Sequence, residues 1–318
     1  MFKHWMVGAV FFTLALSCSA VAQAGVNENL LSAAESGKIE EVNRLLAEGA
    51  NINAKTKDDA TPLHLAAYKG HRDVAELLIT MGAEVNAKGK NDGTPLHLAA
   101  ALGYKALAEL LIAKGGEINA KTKDDTTPLH LAAYKGHKDL AEMLIEKGAD
   151  INAKAVNDAT PLLAAAQQRH KDVAKLLIAK GANVNVKTKD DSTTPLHAAA
   201  FLGQNKDVAE LLIAKGADVN ARTVDGYTPL HQATILGLMD VAELLIAKGA
   251  DVNAKNKDGT TPIHLASIKA HNEDIAELLI ANGADVNAKD KDGLTPLAYA
   301  KKIRNGGVVE VIRRHGGK

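Results

Sequence analysis

The chain has 318 residues, with 38 basic and 38 acidic side chains and therefore a formal net charge of zero at neutral pH. Because lysine and aspartate are interleaved along the chain, it lacks the basic footprint of a nucleic-acid-binding protein, and we expect no nucleic-acid partner. Its single cysteine, Cys18, and its single tryptophan, Trp5, both lie near the N-terminus. The rest of the chain therefore has no cysteine for a disulfide bond or for nucleophilic catalysis.

Residues 1–24 have the layout of a secretory signal peptide. Lys3 and His4 precede an apolar run over residues 6–16, and Ala22 and Ala24 form a small-residue cleavage site before Gly25. We therefore expect cleavage after Ala24, a mature domain over residues 25–318, and a periplasmic or secreted location. No second apolar run follows, so we expect no membrane span in the mature chain.

Two alternatives remain open for this segment. Ala15-Leu16-Ser17-Cys18 is a loose lipoprotein motif, which would leave Cys18 lipidated at the new N-terminus. Residues 5–24 are also just long enough to remain as an uncleaved membrane anchor.

A repeat of 33 or 34 residues occupies most of the mature chain. The tripeptide Thr-Pro-Leu, once Thr-Pro-Ile, begins at eight positions. These positions are Thr61, Thr94, Thr127, Thr160, Thr194, Thr228, Thr261 and Thr295. A period this regular predicts a stack of copies of one small unit.

One unit is predicted to be turn–helix–turn–helix. Thr61 and Pro62 are a helix cap and a first helical residue, and Gly70 ends that helix. A second helix from about Arg72 to Met81 has apolar residues at helical spacing. The polar segment between units predicts a projecting β-turn or hairpin. Two short helices bury too little apolar surface to fold alone, so neighbouring units must share a core.

The two ends of the array differ from the interior. Residues 27–49 form a helix pair without the Thr-Pro start, and the last unit, residues 295–318, has Ala298 in place of the usual histidine. We count about nine units, of which the first and last are caps with a more polar outer face.

The motif resembles the ankyrin repeat: Thr-Pro-Leu-His-Leu-Ala-Ala, then Gly-His, then Leu-Leu-Ile-Ala-Lys-Gly-Ala-Asp-Val-Asn-Ala. The resemblance covers about residues 27–318. It implies an all-α repeat fold, a curved solenoid of stacked antiparallel helix pairs with β-hairpin or turn fingers. It also implies that the first helices and the finger tips line a groove that binds a partner.

No pattern of residues indicates catalysis or metal binding. Six of the twelve histidines recur at one place in the repeat, which favours a structural role for them. They are His64, His97, His130, His197, His231 and His264. Acidic pairs such as Asp58-Asp59 precede the helix starts, where aspartate satisfies turn donors. We therefore expect no enzyme activity, no cofactor and no metal site.

The candidates for partner binding are residues that break the repetition at the ends of the first helices, together with Tyr227, which stands just before the helix-start residue Thr228. They include most aromatic side chains of the mature chain, with large aliphatic residues and lysines. The alternative is that each simply packs against the next unit. The candidates are Tyr68, Lys69, Leu102, Tyr134, Lys135, Phe201, Leu202, Tyr227, Ile235, Leu236, Ile268 and Lys269.

The sequence thus predicts a monomeric, non-catalytic scaffold that binds another protein. The alternative function is an exported bacterial effector or toxin-like protein that acts on a host target through the same groove.

Overall fold

The computed structural model describes residues 25–201, 206–269 and 272–318. The predicted signal peptide, with its Cys18 alternative, and the candidate Leu202 lie outside the described residues. The chain divides into two compact blocks, which we call the N-block, ending at Val156, and the C-block, Asn157–Lys318.

The described part of the N-block contains four helix pairs. Their helices are α1 (Val26–Glu35), α2 (Ile39–Ala47), α3 (Pro62–Lys69), α4 (Arg72–Thr80), α5 (Pro95–Leu102), α6 (Lys105–Ala113), α7 (Pro128–Lys135) and α8 (Lys138–Glu146).

The described part of the C-block contains five helix pairs. Their helices are α9 (Pro161–Gln167), α10 (Lys171–Ala179), α11 (Pro195–Phe201), α12 (Lys206–Ala214), α13 (Pro229–Leu236), α14 (Met239–Ala247), α15 (Pro262–Ser267), α16 (Glu273–Ala281), α17 (Pro296–Lys302) and α18 (Gly306–Arg314).

Local sequence explains where the first helix of each pair begins and ends. In α3 the Thr61 hydroxyl accepts a hydrogen bond from the His64 backbone N–H at 3.4 Å, and Pro62 stands where no N–H is needed. Gly70 closes the helix with φ of 76°, a left-handed conformation that costs glycine little. The predicted helix starts are therefore confirmed.

Within each block the first helices stack side by side in an inner row, and the second helices stack in an outer row. The small side chains Ala66, Ala67 and Ala75 are fully buried between neighbouring helices, and Leu63 and Leu78 fill the space around them. Each block is an all-α solenoid of this kind, which confirms the predicted fold class.

The fingers that connect the helix pairs are hydrogen-bonded turns. The Thr56 N–H donates to the Ala60 carbonyl at 2.9 Å, and Asp59 takes a left-handed φ of 60°. Neighbouring fingers are joined through their backbones, as where the Lys90 N–H donates to the Asp58 carbonyl at 3.1 Å. No β-strand is assigned in the described residues, so of the two predicted forms the finger takes that of a turn.

A row of asparagines joins the repeats on the side of the outer helices. The Asn86 side chain accepts from the Glu117 N–H at 2.8 Å and donates to the Gly115 carbonyl at 2.9 Å. Asn220 and Asn253 make equivalent bonds in the C-block. These bonds satisfy backbone groups left open at helix ends.

One interior repeat of the C-block, with helices α9 and α10, lacks the usual histidine and glycine of the first helix. Leu163 stands where the other interior repeats have the capping histidine and is fully buried. Arg169 ends this repeat's first helix with φ of 64°, where glycine is usual.

In the described part of the chain, no helix is long and apolar enough to cross a bilayer.

Candidate partner-binding surface

The repeated histidines form bonds that hold the stack together. In the N-block, His64 Nδ1 accepts from the Thr61 N–H at 3.2 Å and lies 2.9 Å from the Thr61 hydroxyl. His64 Nε2 then donates to the Gly93 carbonyl of the next repeat at 3.0 Å. This arrangement requires the neutral tautomer with its proton on Nε2.

Burial keeps these imidazoles neutral. It lowers the pKa of His64 and of His97 from 6.5 to about 4. It lowers the pKa of His197 and of His231 to about 4 in the same way. A buried, fully hydrogen-bonded imidazole has no free nitrogen to bind metal or transfer a proton, so the geometry supports a structural role.

The acidic residues before the helix starts are turn elements. Asp191 accepts from the Thr193 N–H at 3.1 Å and from the Thr193 hydroxyl at 2.8 Å. Partial burial acts to raise the pKa of this carboxyl, but bonds from Thr188 and Thr193 bring it below its ordinary value. Among the described residues, no group of three or more His, Cys, Asp or Glu side chains is placed to hold a metal ion.

In the N-block, five candidate residues lie at the ends of three adjacent inner helices. We call this set the N-strip: Tyr68, Lys69, Leu102, Tyr134 and Lys135. Adjacent helices pack about 8–10 Å apart, so the α3 and α7 ends of the N-strip lie about 16–20 Å apart. The two tyrosines are half-buried, and Lys69, Lys135 and Leu102 are exposed, Leu102 by 39%.

Each lysine of the N-strip lies over the tyrosine that precedes it. The distance from Nζ to the ring centroid is 5.1 Å for Lys69 on Tyr68 and 5.5 Å for Lys135 on Tyr134. Lys69 is also within 3.4 Å of a Glu35 carboxylate oxygen. The N-strip is thus a row of cation–aromatic pairs with an exposed leucine between them, and these pairs position the charges.

Leu65 does not join this surface, although it lies at helical spacing from Tyr68 and Lys69. It is 1% exposed and packs with Leu31 and Ala60. Of the three positions Leu65, Tyr68 and Lys69 on this face of α3, the stack therefore covers the first.

In the C-block, three of the six described candidates are aliphatic, two are aromatic and one is a lysine. We call this set the C-strip: Phe201, Tyr227, Ile235, Leu236, Ile268 and Lys269. Ile268 is exposed by 38%, and the other five side chains are half-buried.

Two members of the C-strip are engaged within the fold. Lys269 Nζ donates to the Leu236 carbonyl at the end of α13, which places the ammonium against the stack. The Tyr227 ring makes an edge contact with His231 at 5.6 Å between ring centroids. These contacts favour the packing interpretation for Lys269, and they show that the Tyr227 ring also packs within its own repeat.

Four exposed aliphatic residues at the first-helix ends and finger tips are not among the predicted candidates. In the last repeat, Leu294 is 39% exposed and Ile303 is 44% exposed, at the positions that correspond to Tyr227 and Lys269. The same offsets from Thr295 would have identified them. Val156 and Val224, exposed by 53% and 45%, replace lysine at the finger tips.

Comparisons with known proteins agree with this architecture. A family model described as ankyrin repeats in three copies matches residues 30–122, 96–188 and 162–256. A second model, ankyrin repeats in many copies, matches residues 245–300. The chain is similar to human ankyrin repeat domain-containing protein 49, with 48% identity over 48 residues, 15% of this chain and 20% of that protein. The mouse protein of the same name is 52% identical over 46 residues, 14% of this chain and 19% of its own length. The matched stretch thus spans about a fifth of either relative.

Proposed function

Because the chain belongs to the ankyrin repeat family, whose repeats are generally protein-interaction modules, we propose that it is a non-catalytic scaffold that binds a protein partner through its inner-row surface. The observation that supports this most is the N-strip, where exposed cations and an exposed leucine are aligned on three adjacent helices. Leu63, Ala66 and Ala67 fill the core of α3, so we expect truncation of Tyr68 to cost less stability than a core substitution.

The chemistry of the N-strip fits a protein surface. Tyrosine and lysine present large contact area together with hydrogen-bond donors, and aromatic anchors dominate the energetics of many interfaces. Each lysine is held by its tyrosine, and Lys69 is also held by Glu35. These side chains therefore lose less conformational entropy when a partner binds. The C-strip adds Ile235, Leu236 and Ile268 as aliphatic contacts.

We propose export to the periplasm or beyond as the setting. The support is the layout of residues 1–24 described above. If cleavage occurs after Ala24, the purified wild-type protein begins at Gly25, and replacing Ala22 and Ala24 by large residues blocks that processing. Intact-mass measurement of both proteins tests this. A wild-type chain that begins at a lipidated Cys18 would contradict it, as would normal processing of the variant.

The binding proposal is tested by affinity capture from periplasmic and extracellular fractions, followed by measured affinity for the captured protein. We expect Tyr68→Ala combined with Tyr134→Ala to weaken binding by about 10-fold or more, a loss typical of interface anchors. The matched control is Glu109→Ala on α6, whose side chain is exposed on the outer row.

The opposite result, with binding lost in Glu109→Ala and kept in the double tyrosine variant, would place the interface on the outer row and refute the proposal. Recovery of the protein and its partner from a host cell, rather than from the periplasm, would favour the effector alternative.

A further inference from the structure

The last helix pair of the C-block is strongly cationic. Residues 295–318 contain six basic side chains and one acidic side chain, whereas residues 25–294 contain 31 basic and 37 acidic side chains. The chain has no net charge, so the excess is local to this repeat. The basic residues are Lys301, Lys302, Arg304, Arg313, Arg314 and Lys318.

Two of these cations lie at positions that the following repeat covers in the interior of the stack. Lys301 corresponds to Ala67, which is fully buried. Arg304 corresponds to Gly70, where an added Cβ would lie 2.8 Å from the Tyr104 ring of the following repeat. In the last repeat both positions are occupied by exposed cations.

Four of the cations have no carboxylate partner. Lys301, Lys302, Arg304 and Arg313 make no ion pair within the described residues, whereas Arg314 is 2.9 Å from Glu277. Helix dipoles account for cations in the last turns of α17 and α18. They do not account for Arg304, which follows α17 at φ of 62°, at the position that glycine fills in most interior repeats and Arg169 fills in one.

Apolar side chains are interspersed with these charges. Ile303 is 44% exposed between Lys302 and Arg304, and Leu294 is 39% exposed. A shallow groove lined by Gly306, Val309, Glu310, Arg313 and Arg314 crosses α18. Solubility requires that a terminal repeat be polar, but it requires neither a single sign of charge nor exposed isoleucine.

We propose that this end of the C-block, which we call the basic end, docks on an anionic phospholipid surface. Unpaired lysine and arginine side chains are attracted to acidic headgroups, and Ile303 and Leu294 enter the interfacial layer. The aliphatic residues among the cations favour a lipid surface over an acidic protein, because a headgroup layer accepts both charge and short apolar side chains. The strips remain available for a protein partner, so this surface is separate from the proposed scaffold function.

The test is sedimentation of the purified protein with vesicles of phosphatidylcholine alone or with 30% phosphatidylglycerol, at low and high salt. We expect binding only to the anionic vesicles, and weaker binding as salt increases. Replacing Lys301, Lys302, Arg304 and Arg313 by glutamine should reduce the partition coefficient by at least about 10-fold. Ile303→Ser should reduce it by at least about threefold and keep the salt dependence.

The matched control replaces Lys114, Lys147, Lys215 and Lys248, exposed residues after the outer helices, by glutamine and changes the net charge equally. It should bind vesicles as wild type does. Equal loss in both quadruple variants would show a non-local charge effect and overturn the proposal. The proposal would also be overturned if the wild type did not bind anionic vesicles, or if the basic-end variant lost protein capture but kept vesicle binding. Circular dichroism of each variant shows that it is folded.

Discussion

Mild acid should destabilise the array through its buried histidines. The perturbation is a change from pH 7.0 to pH 5.5. The pKa of His64 and of His97 falls from 6.5 in the unfolded chain to about 4 in the fold. Between these values the unfolded state binds more protons than the folded state, so stability is present above pH 6.5 and is lost as the pH falls towards 4.

The expected size follows from these values. At pH 5.5, one unit below 6.5, an unfolded imidazole is largely protonated while the buried one remains neutral. The difference is about 1.4 kcal/mol for each histidine. Two such histidines in the N-block give about 3 kcal/mol, and His197 and His231 give a similar loss in the C-block.

Urea unfolding followed by circular dichroism at both pH values measures this loss. The matched variant is His97→Leu, which copies the residue that the chain itself has at Leu163. It should be less stable at pH 7.0, and its stability should change less between pH 7.0 and pH 5.5, by about 1.4 kcal/mol. A stability that is flat over this range, or an unchanged pH dependence in the variant, would refute the reasoning.

Three further changes test the packing of the repeats by the same unfolding assay. The Thr127 hydroxyl caps α7 and lies 2.8 Å from His130 Nδ1, and Thr127→Ala removes it. The change should cost about 1 kcal/mol, whereas an unchanged midpoint would show that the cap is dispensable. Arg169→Gly removes the strain of a left-handed backbone conformation, φ of 64°, and should stabilise the fold by about 1 kcal/mol. A loss of stability would show that the arginine side chain itself stabilises the fold. Leu144→Ala leaves a cavity at a fully buried site and should cost about 2–5 kcal/mol. The exposed control Glu109→Ala should change stability little, and equal effects of the two variants would contradict the assigned core.

Sequence reasoning predicted the fold well because one unit repeats. Thr61 and Pro62 mark a helix start by local chemistry, and eight copies of this pair remove ambiguity about where each first helix begins. The structural role of the histidines followed from their fixed place in the repeat. Their bonds to the following repeat, such as that from His64 to the Gly93 carbonyl, show why that place is fixed.

The surface was harder to predict, because exposure depends on what the neighbouring repeat covers. Leu65 shares a helical face with Tyr68, yet Leu31 of the preceding helix pair covers it. Lys269 occupies a position like that of Lys69, yet its ammonium binds the Leu236 carbonyl. Helical periodicity predicts the direction in which each side chain leaves its helix, but it does not predict which distant group a flexible lysine side chain contacts.

The central claim is that the inner-row surface binds a protein partner. A photo-crosslinking amino acid placed at Leu102 in the N-strip or at Ile268 in the C-strip tests it most directly, because both sites are exposed and lie on the proposed surface. The comparison sites are Glu109 and Glu243, which are exposed on the outer row. We predict crosslinks to one partner protein from Leu102 or Ile268 and none from the outer sites. Crosslinks confined to Glu109 and Glu243 would contradict the account.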